Sequence, residues 1–186
     1  MEKTKTSSLI YDGKIVKLYK DTVILENGKE AMREVVKHQK GVSVAIKDAD
    51  GKYFLVKQYR YPFKKDMIEF CAGKVEDGED VDTTALRECE EELGIVPKNL
   101  IRLGKVIPSC GYCDEELFLY YGEVKETTKQ HLDEDEDLKV LKYTLEEIED
   151  MVEKGIIDDS KTISTLYYLK KENRWLSILI KLKNYL

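Results

Sequence analysis

Between Asp80 and Gly94 the two-residue alternation of apolar positions that governs the preceding chain gives way to a helical rhythm. The change is punctuated at both ends. Asp80 is a residue type that caps helix N-termini, and Gly94 stands where a helix would stop. A helix here sets Glu88, Glu91 and Glu92 at i, i+3 and i+4, so three carboxylates share one face. Like charges at these spacings destabilise an isolated helix by roughly 0.2–0.5 kcal/mol per pair. The surrounding fold must therefore leave that face in water, the ordinary fate of an acidic run, or provide a cation. Magnesium suits the second solution, because it takes carboxylate oxygens and keeps positions for water and phosphate oxygens. The preceding AGKVEDGE has glycines that permit a tight loop into the helix, and Arg87 lies one turn before Glu91, where it can orient that side chain.

The flanking segments read mainly as strands. Residues 9–37 alternate apolar and polar in three bursts (IVKLYK, TVILENGKE, REVVKH), with Asn27-Gly28 as a turn signal, which predicts a small antiparallel meander. GVSVAIK and KYFLVKQYRY follow, joined through Asp50-Gly51 as a hairpin. LIRLGKVIPS and ELFLYYGEV form strands around a turn containing Gly111, and LKVLKYT forms another. Helices are expected over residues 145–154, ending at Gly155, and over 160–171 and 175–186. The sum is an α+β chain: a meander over residues 1–40, then a domain over 41–186 in which helices cover the faces of a mixed sheet. The polar segment 125–137 is too long for a tight turn and is a candidate functional loop.

Composition narrows the function. A formal net charge of −6 gives no general electrostatic reason to bind nucleic acid. The most apolar stretch, residues 175–182, is broken by Ser177 and Lys181 and is far shorter than a bilayer span, so no membrane is expected. The N-terminus lacks the apolar run of an export signal, which predicts a cytoplasmic protein whose four cysteines (Cys71, Cys89, Cys110, Cys113) are thiols. Cys110-Gly111-Tyr112-Cys113 has redox or zinc spacing. The first reading needs a βαβ context, and the second needs another thiol or imidazole pair; Cys71 and Cys89 do not form one, and His38 and His131 are isolated.

The string from residue 73 to 95, GKVEDGEDVDTTALRECEEELGI, resembles the Nudix box Gx5Ex7REUxEExGU, with U a bulky aliphatic residue. Gly73, Glu79, Arg87, Glu88, Glu91, Glu92, Gly94 and Ile95 all fall in register, and Cys89 occupies the first U position. The resemblance implies a Nudix fold, with a mixed sheet sandwiched between helices. It also implies magnesium or manganese held by Glu88, Glu91, Glu92 and the backbone carbonyl of Ala72, with Arg87 and Glu79 as orienting groups and Arg87 and Glu91 counted with the catalytic machinery. The reaction implied is attack of water on one phosphorus of a nucleoside diphosphate linked to another moiety.

Further segments (QYRYP, IEFCAGK, SCGYCDE, LDEDEDLKV, IIDDSKTI) resemble the ADP-ribose pyrophosphatase branch. They imply that Arg60 binds the diphosphate, that Glu69, Cys110, Gly111 and Asp114 lie at the substrate, and that Glu136 prepares the attacking water. They also imply a homodimer that exchanges N-terminal sheets. Cys71 and Cys110 stand where this branch commonly has proline, which opens the choice of substrate and alters the substrate loops. ADP-ribose, cleaved to AMP and ribose 5-phosphate, leads. A GDP-sugar or similar compound is the alternative within the same chemistry, and a non-catalytic nucleotide-sugar sensor is the alternative outside it. Within the acidic run, Glu134 or Asp135 could serve as base in place of Glu136, or Asp133, Glu134, Asp135, Glu136 and Asp137 could simply be solvated.

Overall fold

A computed structural model describes residues 1–132 and 136–183, with 172–183 as backbone alone. Its strands are β1 (Lys3–Asp12), β2 (Val16–Ile24), β3 (Glu30–His38), β4 (Gly41–Lys47), β5 (Tyr53–Arg60), β6 (Lys65–Glu69), β7 (Cys71–Lys74), β8 (Ile95–Val106), β9 (Leu117–Thr127) and β10 (Leu138–Tyr143). Its helices are α1 (Val81–Leu93), α2 (Leu145–Glu153) and α3 (Ser160–Lys183). The chain divides into two compact units, Met1–Lys40 with Ile107–Glu116, and Gly41–Val106 with Leu117–Leu186.

The first unit is the expected meander, an antiparallel sheet in the order β1-β2-β3. Gly28, at φ +78, makes the β2–β3 turn in a conformation that glycine adopts without strain. Residues 107–116 are tied to β3: Val36 N–H donates to the Tyr112 carbonyl at 2.7 Å and Asp114 N–H to the Val36 carbonyl at 3.1 Å. The meander is longer than its apolar pattern suggests. β1 begins at Lys3, in a segment with no apolar residue before Leu9, and β2 runs unbroken through Asp21. Every residue of β1 is exposed.

The second unit is built on a mixed sheet in the order β10-β5-β4-β9-β8, with β6 added to β5 and β7 to β4. β4 and β9 run parallel, and the other pairs are antiparallel. Residues 41–46 of β4 are all buried, as a central strand covered on both faces requires. Alternation assigns the faces. Val42, Val44, Ile46, Phe54 and Val56 join Ala85, Cys89 and Leu93 of α1 on one side. Ala45, Tyr53 and Leu55 join Phe70, Ile148 and Met151 of α2, and Leu166 and Leu169 of α3, on the other. The sheet is thus sandwiched between helices.

Two features depart from the sequence pattern. β6 and β7 occupy IEFCAGK and its approach, too short and glycine-bearing to signal strands. The expected break between two C-terminal helices is absent, since α3 runs from Ser160 to Lys183; residues 172–174 contain neither glycine nor proline to stop it. Among the described residues no helix is long and apolar enough to cross a membrane.

Candidate active site

α1 is fixed at both ends before its side chains are considered. The Asp80 carboxylate accepts from Asp82 N–H and Thr83 N–H, each at 2.9 Å. Gly94 closes the helix at φ +63, its N–H donating to the Glu90 carbonyl at 3.0 Å. The carbonyls left over at the C-terminus are taken by segment 128–131. Thr128 N–H donates to the Gly94 carbonyl at 2.7 Å, His131 N–H to the Glu91 carbonyl at 2.9 Å and Gln130 Nε2 to the Glu92 carbonyl at 2.5 Å. The acidic loop therefore starts from the end of the carboxylate helix.

Glu88 and Glu92 are 9% and 3% exposed, so these two acids are not a solvated face. Glu92 accepts from Ala72 N–H at 3.1 Å, and Glu88 packs so tightly on β7 that a Cβ on Gly73 would lie 1.8 Å from its carboxyl carbon. Only glycine leaves room for that side chain. Burial pushes the Glu88 carboxyl up to about 7, with the charges of Glu91 and Glu136 adding to the effect and Arg87 opposing it. Burial likewise pushes Glu92 up to about 8, opposed by the Ala72 N–H and the Cys71 thiol and reinforced by Glu88 and Glu136. Both acids also stand in the last two turns of α1, the negative end of its dipole, and no basic residue occupies the last turn.

Arg87 organises the neighbouring charges. Its Nε and Nη2 donate to Glu79 at 3.0 and 3.1 Å, its Nη1 to Glu91 at 2.6 Å, and its Nη2 to the Lys74 carbonyl at 3.1 Å. Nη1 also lies 2.9 Å from Glu88. This guanidinium holds the Glu79 carboxyl down at about 2, helped by the Thr84 hydroxyl at 2.7 Å. Glu91 is the more open of the three helix acids and is engaged by Arg87.

A second charged group lies where the β5–β6 hairpin meets the start of α3. Arg60 Nε and Nη2 grip Glu69 at 2.7 and 2.6 Å. Glu69 is 1% exposed and also accepts from Lys161. Neither the Arg60–Glu69 pairing nor the part played by Lys161 is evident from the sequence, where Lys161 is simply one residue of IIDDSKTI. Asp114 belongs to the first unit, where its carboxylate accepts from Lys37 Nζ at 2.7 Å and His38 N–H at 3.0 Å. Cys110 and Gly111 lie on the same segment, with Cys110 exposed. Asp133, Glu134 and Asp135 lie outside the described residues; Glu136 is described, and its charge acts on both Glu88 and Glu92.

The described residues contain no group of three or more His, Cys, Asp or Glu side chains gathered as a cation cage. The donor set nevertheless fits a hard divalent ion. Two buried carboxylates repel each other at the negative end of a helix, and a cation offsets that repulsion.

Comparison with known families settles the ancestry of this arrangement. The NUDIX domain matches residues 37–166, which include the whole of α1 and the Arg60–Glu69 pair. The chain belongs to the Nudix family. Among relatives of this Nudix protein, one named ADP-ribose pyrophosphatase from Bacillus subtilis (strain 168) is 39% identical over 171 residues, covering 91% of this chain and 92% of that one. A protein named methanol dehydrogenase activator, from Bacillus methanolicus, matches with the same identity and coverage. A crystal structure of an ADP compounds hydrolase superposes with a TM-score of 0.82 at 19% identity, covering 95% of this chain and 94% of that chain, and so shares the fold. The Nudix assignment makes the chain a hydrolase of that family.

Proposed function

We propose that this Nudix hydrolase cleaves the diphosphate bond of ADP-ribose to give AMP and ribose 5-phosphate, and that it uses magnesium, with manganese as a substitute. The observation that carries the reading is the buried Glu88–Glu92 pair on α1, acids whose ionisation burial opposes and a cation would favour. Glu88, Glu91, Glu92 and the Ala72 carbonyl would hold the metal. Bound there, it would draw electron density from the diphosphate oxygens and acidify water. Arg87 holds the Glu91 and Glu88 carboxylates in place through its Nη1. Arg60 Nη1, which has no hydrogen-bond partner among the described residues, is the group that would grip the diphosphate. Glu136 would accept the proton of the attacking water, and Cys110, Gly111 and Asp114 would belong to the substrate loop.

Relatives named ADP-ribose pyrophosphatase, one of them 39% identical over nearly the whole chain, support this choice of substrate. The test is chromatography of the products formed from a panel of ADP-, GDP- and UDP-linked compounds with magnesium. AMP and ribose 5-phosphate from ADP-ribose would support the reading. Preferred cleavage of a GDP-sugar would move the substrate, and binding without turnover of any compound would replace the enzyme with a sensor.

The equal similarity to a protein named methanol dehydrogenase activator favours a second reading, in which the chain acts on a dehydrogenase. An increase in methanol oxidation when the protein is added to a methanol dehydrogenase would support it, and an unchanged rate would remove it. A cytoplasmic homodimer completes the proposal. Its motive in the first unit is the uncovered β1, where Leu9, Ile10 and Tyr11 are about half exposed or more.

A further inference from the structure

The first two turns of α3 reach the sheet through three polar contacts, two to the end of β6 and one to β4. Lys161 Nζ donates to Glu69, the Thr162 hydroxyl oxygen accepts from Phe70 N–H at 2.9 Å, and the Thr165 hydroxyl donates to Ser43 Oγ at 3.3 Å. Ser43 is the cross-strand neighbour of Ala72. Phe70, Thr162, Thr165 and Ser43 are all 0% exposed.

Lys161 is held from behind. Asp159 accepts from Lys161 Nζ at 2.9 Å through one oxygen. Through the other it accepts from Thr162 N–H at 2.9 Å and the Thr162 hydroxyl at 2.6 Å, as a helix cap does. Glu69, Lys161, Asp159, Thr162 and Phe70 thus close a ring of contacts in which adjacent residues of the helix hold adjacent residues of the strand end. A buried carboxylate is costly unless its oxygens are paired. Arg60 alone leaves Glu69 Oε2 with room for a second donor, and Lys161 fills it. Without Lys161, Glu69 and Asp159 would share the space with no cation between them. Glu69 would then no longer present two fixed acceptors to Arg60, whose fork needs both.

We propose that Lys161 is a positioning residue for substrate binding: it fixes the Glu69 carboxylate so that Arg60 is held with its remaining N–H groups set for the diphosphate. The proposal rests on the diphosphate role of Arg60, and the experiment separates the two. Binding of ADP to the full-length protein is measured by calorimetry without divalent cation, and KM and kcat for ADP-ribose are measured with magnesium. Lys161→Met should weaken ADP binding and raise KM by about tenfold or more, with kcat at saturation changed less than about threefold. Lys161→Arg should recover most of the loss. In an Arg60→Ala background, Lys161→Met should add nothing further.

Lys65→Met is the control. It removes the exposed Lys65–Asp158 pair, which joins β6 to the segment just before α3 at 2.5 Å, and should leave binding unchanged. If Lys161→Met does not fold, Lys161→Gln, which keeps a donor and loses the charge, is read the same way. Wild-type binding in folded Lys161→Met or Lys161→Gln, with Arg60→Ala impaired, would overturn the role of Lys161 alone. Wild-type binding in Arg60→Ala would overturn the diphosphate role of Arg60, and this proposal with it.

Discussion

Glu88 and Glu92 differ from ordinary surface acids in one physical respect: their charges are not screened by water, so Glu88 feels Arg87, Glu91 and Glu136, and Glu92 feels Glu88 and Glu136. Replacing either by glutamine keeps the shape and removes the charge. Glu88→Gln and Glu92→Gln are therefore expected to lower kcat by orders of magnitude while the metal-free protein stays as stable as wild type or becomes slightly more so, as paired kinetics and thermal unfolding would show. Full activity of both variants in magnesium would remove the metal site from this helix. Glu136 is a different case, because it follows the tethered segment 128–131 and is the proposed base. Single amide substitutions at residues 133–137 should leave Glu136→Gln alone with a loss of roughly 10²–10⁴ in kcat. Variants that all remain within about twofold of wild type would make the run a solvated surface. Gly73 is constrained by the same packing. Gly73→Ala places a methyl 1.8 Å from the Glu88 carboxyl, and overpacking of this kind typically costs about 1–3 kcal/mol. The variant should unfold at a lower denaturant concentration and bind magnesium more weakly.

At the scale of the element, α1 ties stability to pH. Glu88 and Glu92 have folded-state values raised to about 7 and about 8 from 4.5, so the folded metal-free chain binds protons more tightly than the unfolded one. Their stabilising contribution is fully present below about pH 4.5 and is lost as pH rises through 7 and 8. Glu79 behaves oppositely: held down at about 2, it stabilises above about pH 4.5 and loses that effect as pH falls toward 2. The melting temperature of the metal-free protein should accordingly fall between about pH 6 and pH 9, and magnesium added at the upper end should restore it by binding the folded state. A midpoint that rises across that interval, or that ignores magnesium, would contradict the assignment. The elements were unevenly legible in the sequence. α1, with Asp80 and Gly94 marking its ends, and the β2–β3 turn at Asn27-Gly28 were readable because local chemistry decides them. β1, β6 and β7 were not, because their pairing partners, rather than their own apolar content, make them strands. In the site, the three acids of α1 and the reach of Arg87 to Glu91 follow from helical spacing. The grip of Arg60 on Glu69 depends on a hairpin register, and the approach of Lys161 depends on a helix packed 92 residues further along the chain, so spacing could not reveal either.

At the scale of the whole molecule, the exposed length of β1 bears on assembly. A ten-residue strand that buries none of its residues, with Leu9, Ile10 and Tyr11 open, is an edge of the kind that proteins cover or pair. Light scattering at micromolar concentration should report a dimer, and removal of residues 1–12 should yield a monomer. A monomeric full-length chain would leave that edge without a partner. The central sheet carries a further consequence for how the molecule is made. β4 lies parallel to β9, with Gly41 opposite Leu117, and β10 lies beside β5, with Leu138 opposite Gln58. α1 and β7 are translated between these partners, so the carboxylate helix leaves the ribosome before the sheet that shelters it can close. Non-local pairing of this sort makes folding slow, because chain entropy is lost before contacts repay it. In pulsed hydrogen exchange during refolding, the amides of α1 should gain protection together with those of β9. Protection of α1 well ahead of β9 would show that the acids are buried by local structure alone.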